Sequence, residues 1–75
     1  MRYKTIDGVI VEAESLHGIA EELWGQVMVP EPSLEAWVRQ SADRARLWNG
    51  SILSTTSPEE HIRDMISAGL LTPLA

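Results

Sequence analysis

Apolar residues recur at helical spacing between Ser33 and Gly50, and this stretch predicts the longest helix of the chain. The Ser33 hydroxyl can cap the first turn, and Asn49-Gly50 is a stop signal whose glycine can adopt the left-handed conformation. The opposite face is charged and is predicted to face solvent. The stripe predicted to face the core comprises Leu34, Trp37, Val38, Ser41, Ala42, Ala45 and Trp48.

Residues 2–13 have the composition of two strands joined by a tight turn. Asp7-Gly8 is the two-residue signal of a type I′ turn, which requires positive φ at both positions. That turn pairs Ile6 with Val9 and sets the register of the hairpin. The side predicted to face the core then carries Arg2, Lys4, Ile6, Val9, Val11 and Ala13.

Two shorter helices are predicted, and each begins at a serine that can cap it. Ser15 begins a helix that runs to about Trp24, and Ser57-Pro58-Glu59-Glu60 has the form of a capping box with proline at N1. Residues 51–56, SILSTT, are predicted to form a third strand beside the first. The residues after Gly69 are predicted to cover the core as an extended tail.

This order of elements predicts an α+β fold with element order ββααβα. Its three-stranded antiparallel sheet, of strand order 2-1-3, is predicted to pack against three helices. All 75 residues, 1–75, are predicted to form a single domain near the smallest size that one core supports. The chain has no cysteine, which fits a reducing cytoplasm, and no apolar run approaches the ~20 residues that span a bilayer. A cytoplasmic protein without a membrane partner is therefore expected.

Charge is distributed unevenly along the chain, whose formal net charge is −5. Three of its six basic residues lie on the long helix, at Arg39, Arg44 and Arg46. An acidic surface repels phosphate backbones, so nucleic-acid binding is disfavoured and a basic partner is attracted. No Lys or Arg interrupts the six acidic residues Glu12, Glu14, Glu21, Glu22, Glu31 and Glu35.

The residues that usually carry chemistry do not form a recognisable set. No phosphate-binding glycine loop is present. His17 and His61 lie on different predicted elements without metal-ligand spacing, and His61 is expected to pack part of its ring at a helix edge. Three serines, Ser15, Ser33 and Ser57, are explained as helix caps. We therefore predict a non-enzymatic protein with no catalytic residues, no cofactor and no metal.

A partner-binding site is predicted around the end of the first helix. Val27, Met28 and Val29 form an apolar cluster beside Pro30, either as a satellite of the core or as an exposed surface. The tryptophans at helix ends, Trp24 and Trp48, are either core residues or anchors for a partner, and core is favoured for both. The predicted partner-binding residues are Trp24, Val27, Met28, Val29, Glu21 and Glu22.

Three segments together resemble small uncharacterised proteins of bacterial phages and mobile elements: RYKTIDGVIVEA, SLEAWVRQSADRA and GSILSTTSPEEHIRDMISAGLL. The resemblance implies a bacterial, intracellular accessory protein and transfers no active site.

The first functional hypothesis is a non-enzymatic protein-binding accessory module with an acidic surface, as a homodimer or with another protein. In a narrower form, its glutamates imitate the phosphates of a nucleic acid. The alternative is a small DNA-associated regulatory factor that contacts phosphates through Arg39, Arg44 and Arg46.

Overall fold

Three strands and three helices make up the part of the chain that the structure, a computed structural model, describes: residues 1–27 and 31–74. The sheet is antiparallel with strand order β2-β1-β3. The predicted α+β class, the strand order 2-1-3 and the three helices are therefore confirmed. In chain order the elements are β1 (Arg2–Thr5), β2 (Ile10–Glu12), α1 (Leu16–Gly25), α2 (Leu34–Asn49), α3 (Pro58–Ser67) and β3 (Leu71–Leu74).

The third strand lies after α3 rather than before it. Residues 51–56 form no strand, and the tail residues Leu71–Leu74 pair with β1 instead. The strand prediction for 51–56 is wrong because side chains of α3 take the backbone groups that a strand would offer to a neighbour. The Ser54 N–H donates to Asp64 Oδ2 at 2.7 Å, and the Ser54 carbonyl lies 3.0 Å from His61 Nδ1.

The hairpin turn is one residue longer than the predicted type I′ turn. The Thr5 N–H donates to the Val9 carbonyl at 2.8 Å, which closes a loop of three residues. Among these residues only Gly8, at φ +89°, has a positive φ. A type I′ turn would also force Asp7 into that region, whereas the three-residue loop leaves only the glycine there.

This shift by one residue exchanges the two faces of β1. Tyr3, not Lys4, pairs with Val11 and packs against the core. Val11 is buried as predicted, but Ile6 is 50% exposed and Val9 is 43% exposed. The predicted core positions of Arg2, Lys4, Ile6 and Val9 are therefore wrong.

The predicted helix caps are confirmed. Ser15, Ser33 and Ser57 each accept a hydrogen bond from the backbone N–H three residues later. The helix α3 ends in a Schellman close, in which the Leu70 N–H donates to the Met65 carbonyl at 2.9 Å. These signals are local, so neighbouring elements do not change them.

The core lies between the sheet and the helices, and α2 approaches it from one side only. Among the described elements, α1 contacts β2 and α3 contacts β3, while α2 contacts the two other helices and no strand at backbone distance. A space is therefore left between α2 and the hairpin. The main core cluster comprises Val11, Ile19, Ala20, Trp37, Val38, Ile62 and Leu71, and a smaller one comprises Ala42, Ala45, Leu53 and Leu70.

Candidate functional site: an apolar groove beside the end of α2

The C-terminal turn of α2, the longest helix, is exposed. It has 16 residues, whereas α1 and α3 have ten each. At ~1.5 Å per residue, α2 is about 9 Å longer than either. Its last turn carries Leu47, 82% exposed, and Trp48, 69% exposed. The core prediction for Trp48 is wrong because the helix continues past the core.

A groove of about 800 Å³, the apolar groove, separates this end of α2 from the hairpin. The hairpin forms one wall of the groove and α2 forms another. Residues at the end of α1 and two residues near the end of α3 form the remainder. Most of its lining is apolar, as in surfaces that bind protein segments. The lining residues are Thr5, Ile6, Asp7, Val9, Leu23, Gln26, Val27, Trp37, Ser41, Arg44, Ala45, Leu47, Trp48, Met65 and Leu70.

Two charged side chains of opposite sign line the apolar groove within the described residues. Asp7 belongs to the hairpin wall and Arg44 to the α2 wall. The Arg44 guanidinium donates to Gln40 Oε1 at 2.8 Å along its own helix, and both ends of this bond are exposed. The groove therefore carries one acidic residue on its hairpin wall and one basic residue on its α2 wall.

The predicted partner-binding residues are only partly in this groove. Val27 lines it and also packs against the core. Trp24 is half-buried against the same core, and its indole N–H donates to the Glu31 carbonyl at 2.9 Å. Glu21 and Glu22 are exposed on α1. Met28 and Val29 lie outside the described residues, and the binding role of the whole set stays a prediction.

His61 is fully buried, beyond the partial packing that its sequence position suggested. Its Nδ1 lies 3.0 Å from the Ser54 carbonyl and its Nε2 lies 2.9 Å from Ser41 Oγ. Because a carbonyl only accepts, Nδ1 carries the proton and the Ser41 hydroxyl donates to Nε2 of the neutral ring. The ring meets Trp37 edge to face at 5.4 Å. His61 thus joins α2, α3 and the connection between them.

Burial is the main influence on the charge of this ring. It lowers the pKa of His61 below the ordinary value of 6.5, because desolvation penalises the imidazolium. The Ser54 carbonyl and Asp64 act in the opposite direction with smaller effect. The neutral state suits the observed hydrogen bonds, and His61 is a structural bridge at neutral pH.

Ser41 and His61 form a hydrogen-bonded serine–histidine pair of the kind used in nucleophilic catalysis, and Ser41 lines the apolar groove. In the part of the chain that the structure describes, however, the serine has no oxyanion hole beside it. Ser41 lies in the interior of α2, where backbone N–H groups bond within the helix rather than forming an oxyanion hole. The lowered pKa of His61 also makes the imidazole a weaker base. This geometry supports packing rather than acyl transfer.

The second histidine lies in a different place. His17 is exposed, with Nε2 3.7 Å from Glu21 Oε1 and Nδ1 3.6 Å from Glu59 Oε1. Within the ranges 1–27 and 31–74, no group of three histidines or acidic residues is arranged to hold a metal ion. The two imidazoles therefore do not share a site.

The three arginines of the DNA hypothesis are exposed but do not share one face of α2. At ~100° per residue, Arg39 and Arg46 lie nearly in line, whereas Arg44 points about 140° away. Arg46 also lies 3.6 Å from Asp43. A single phosphate backbone would not meet all three side chains.

Sequence reasoning missed most of the apolar groove. The predicted type I′ turn places Ile6 and Val9 in the core, and the predicted core stripe of α2 does not include Leu47. One signal was present: Leu47 is an apolar residue on the otherwise polar side of α2. A large apolar residue in that position indicates a contact outside the core of its own helix.

No family model, curated protein or solved structure matches the chain. The resemblance to phage and mobile-element proteins stays a prediction. Of the helices in the described ranges, none has the length and apolar character that a membrane span requires.

Proposed function

We propose that this protein is a non-enzymatic protein-binding accessory module whose binding surface is the apolar groove. The observation that carries the proposal is the exposed end of α2 beside that groove. Trp48 and Leu47 are largely exposed in the described structure. A tryptophan that becomes buried when a partner binds is the kind of residue that dominates binding energies. Such an end is costly to leave in water unless a partner covers it.

The partner chemistry follows from the groove and its surroundings. An apolar segment with a few polar groups fits the lining, and Asp7 and Arg44 offer it one negative and one positive group. Val27 connects this surface with the residues predicted for binding from the sequence. A cytoplasmic, phage or mobile-element setting belongs to the same proposal and rests on the cysteine-free sequence and the resemblance.

A capture experiment in the source cell tests the proposal. The tagged chain, its Trp48→Lys variant and its Ile52→Lys variant are recovered from cells that also make the untagged chain, and bound proteins are quantified by mass spectrometry. Ile52 is the matched control because it is apolar and 88% exposed but does not line the groove. We expect the wild type and Ile52→Lys to retain a partner, either another protein or the untagged chain, that Trp48→Lys loses.

Two results would count against the proposal. One is a set of bound proteins that is the same for all three chains. The other is hydrolysis of a simple aryl ester that disappears in a Ser41→Ala variant with unchanged far-UV circular dichroism, because that would assign the Ser41–His61 pair to catalysis.

A further inference from the structure

We infer that the occupant of the apolar groove is the C-terminal end of α2 of a second copy of this chain, and that the two copies are related by a two-fold axis. This inference rests on the proposed function and names the partner for the same surface. It accounts for two observations together: the exposed apolar end of α2 and the opposite charges on the two walls.

The arrangement of the walls is suited to a two-fold axis. The hairpin forms one wall and α2 the other. A two-fold axis that runs along the groove exchanges them, so the hairpin wall of each copy faces the α2 wall of the other. Interfaces of this kind bring a surface patch against itself and must be self-complementary.

The charges meet this requirement. With the walls exchanged, Asp7 of each copy lies opposite Arg44 of the second copy, and the pairing occurs twice. Arg44 is free to turn toward that partner, because its present bond to Gln40 is a surface bond along the helix. At the same time Leu47 and Trp48 of each copy enter the apolar space of the other and lose their exposure to water.

The net charge of each copy limits the conditions of association. Two chains of formal charge −5 repel each other at long range. At physiological ionic strength the screening length is about 8 Å, so this repulsion is weakened while pairs in contact persist. Association is therefore expected to be stronger at physiological salt than in very dilute buffer.

Reversing the charge of Asp7 or of Arg44 tests the inference, with the purified full chain at physiological salt. Asp7→Arg places two positive charges at each pairing, and Arg44→Glu places two negative charges there. Each variant alone is expected to dissociate about tenfold more readily than the wild type. An equimolar mixture restores opposite charges at both pairings, so the mixture is expected to recover wild-type association. Sedimentation velocity over a range of concentrations measures all four samples.

Recovery in the mixture cannot result from misfolding, since two damaged chains would not repair each other. Trp48→Lys is expected to be monomeric, and Ile52→Lys is expected to associate like the wild type. A wild-type chain that remains monomeric at all concentrations overturns the inference, as does a mixture no more associated than its components. If groove-dependent capture of another protein persists in that case, the proposed function stands and only the choice of partner fails.

Discussion

The two tryptophans of α2 have opposite environments although they lie on the same side of the helix. Trp37 and Trp48 are eleven residues apart, which at ~100° per residue leaves them only about 20° out of line. Trp37 is 4% exposed and meets the His61 ring, whereas Trp48 is 69% exposed at the helix end. The difference arises from the neighbours, because Trp37 belongs to the main core cluster whereas Trp48 belongs to neither core cluster.

The region around Trp37 is held by tertiary contacts, and the region around Trp48 is held by the helix alone. Within the described residues, no buried side-chain nitrogen or oxygen lacks a hydrogen-bond partner, and His61 uses both of its ring nitrogens. Beyond Ala45, by contrast, α2 stays helical through its own backbone and ends at Gly50, φ +76°. One region belongs to the core, and the other lies exposed at the end of the helix.

The largest expected effect separates the two tryptophans directly. Trp37→Ala should lower the free energy of unfolding by about 3–5 kcal/mol, because it empties part of the main core. Trp48→Ala should change it by no more than ~0.5 kcal/mol at low protein concentration. Urea unfolding followed by far-UV circular dichroism measures both. Equal losses would contradict the contrast; if Trp37→Ala does not fold, Trp37→Phe against Trp48→Phe provides the same comparison.

Replacing the buried histidine comes next. His61→Leu leaves the Ser54 carbonyl and the Ser41 hydroxyl without their partner, and the free energy of unfolding should fall by about 1–3 kcal/mol. His17→Leu is the matched control, since His17 is exposed and its loss should cost no more than ~0.5 kcal/mol. The same denaturation assay applies. If His61→Leu leaves the free energy of unfolding unchanged, His61 does not hold α2, α3 and their connection together.

The end of α2 depends on its glycine. Gly50→Ala should destabilise the protein by about 1 kcal/mol, because a side chain at φ +76° is strained. Gly25→Ala is the control: it has no positive φ and nothing within 4 Å of an added Cβ, so it should be neutral or stabilising by up to ~1 kcal/mol. Thermal unfolding distinguishes the two variants. Identical midpoints would mean that the backbone at Gly50 adapts without strain.

Acid should lower the free energy of unfolding through His61, whose ring packs against Trp37. The pKa of His61 is lowered in the folded state, so below the unfolded value of 6.5 the unfolded chain binds a proton that the folded chain does not. The contribution of His61 to the free energy of unfolding is fully present above pH 6.5, and it is lost as pH falls toward the pKa of the folded state. The slope cannot exceed about 1.4 kcal/mol per pH unit for one proton. Urea midpoints from pH 8 to pH 5 should fall less steeply in His61→Gln, and an equal fall in both chains would assign the effect to other groups.

The α+β class and all three helix starts could be predicted, because they depend on caps and periodicity within a few residues. The hairpin register could not, since Asp7-Gly8 is compatible with two loops and the choice between them also depends on the packing of Tyr3 against the core. The third strand was misplaced for a similar reason. Residues 51–56 have strand-forming composition, but His61 and Asp64 bind the Ser54 backbone from another element.

The sequence by itself determined where the helices begin, how α2 and α3 end, and that an apolar stripe runs the whole length of α2. Each of these depends on residues that are adjacent along the chain or one helical turn apart. The tertiary structure decided which part of that stripe becomes core and which part lines a groove. That outcome depends on where the other elements end in space, and no local pattern along α2 carries that information.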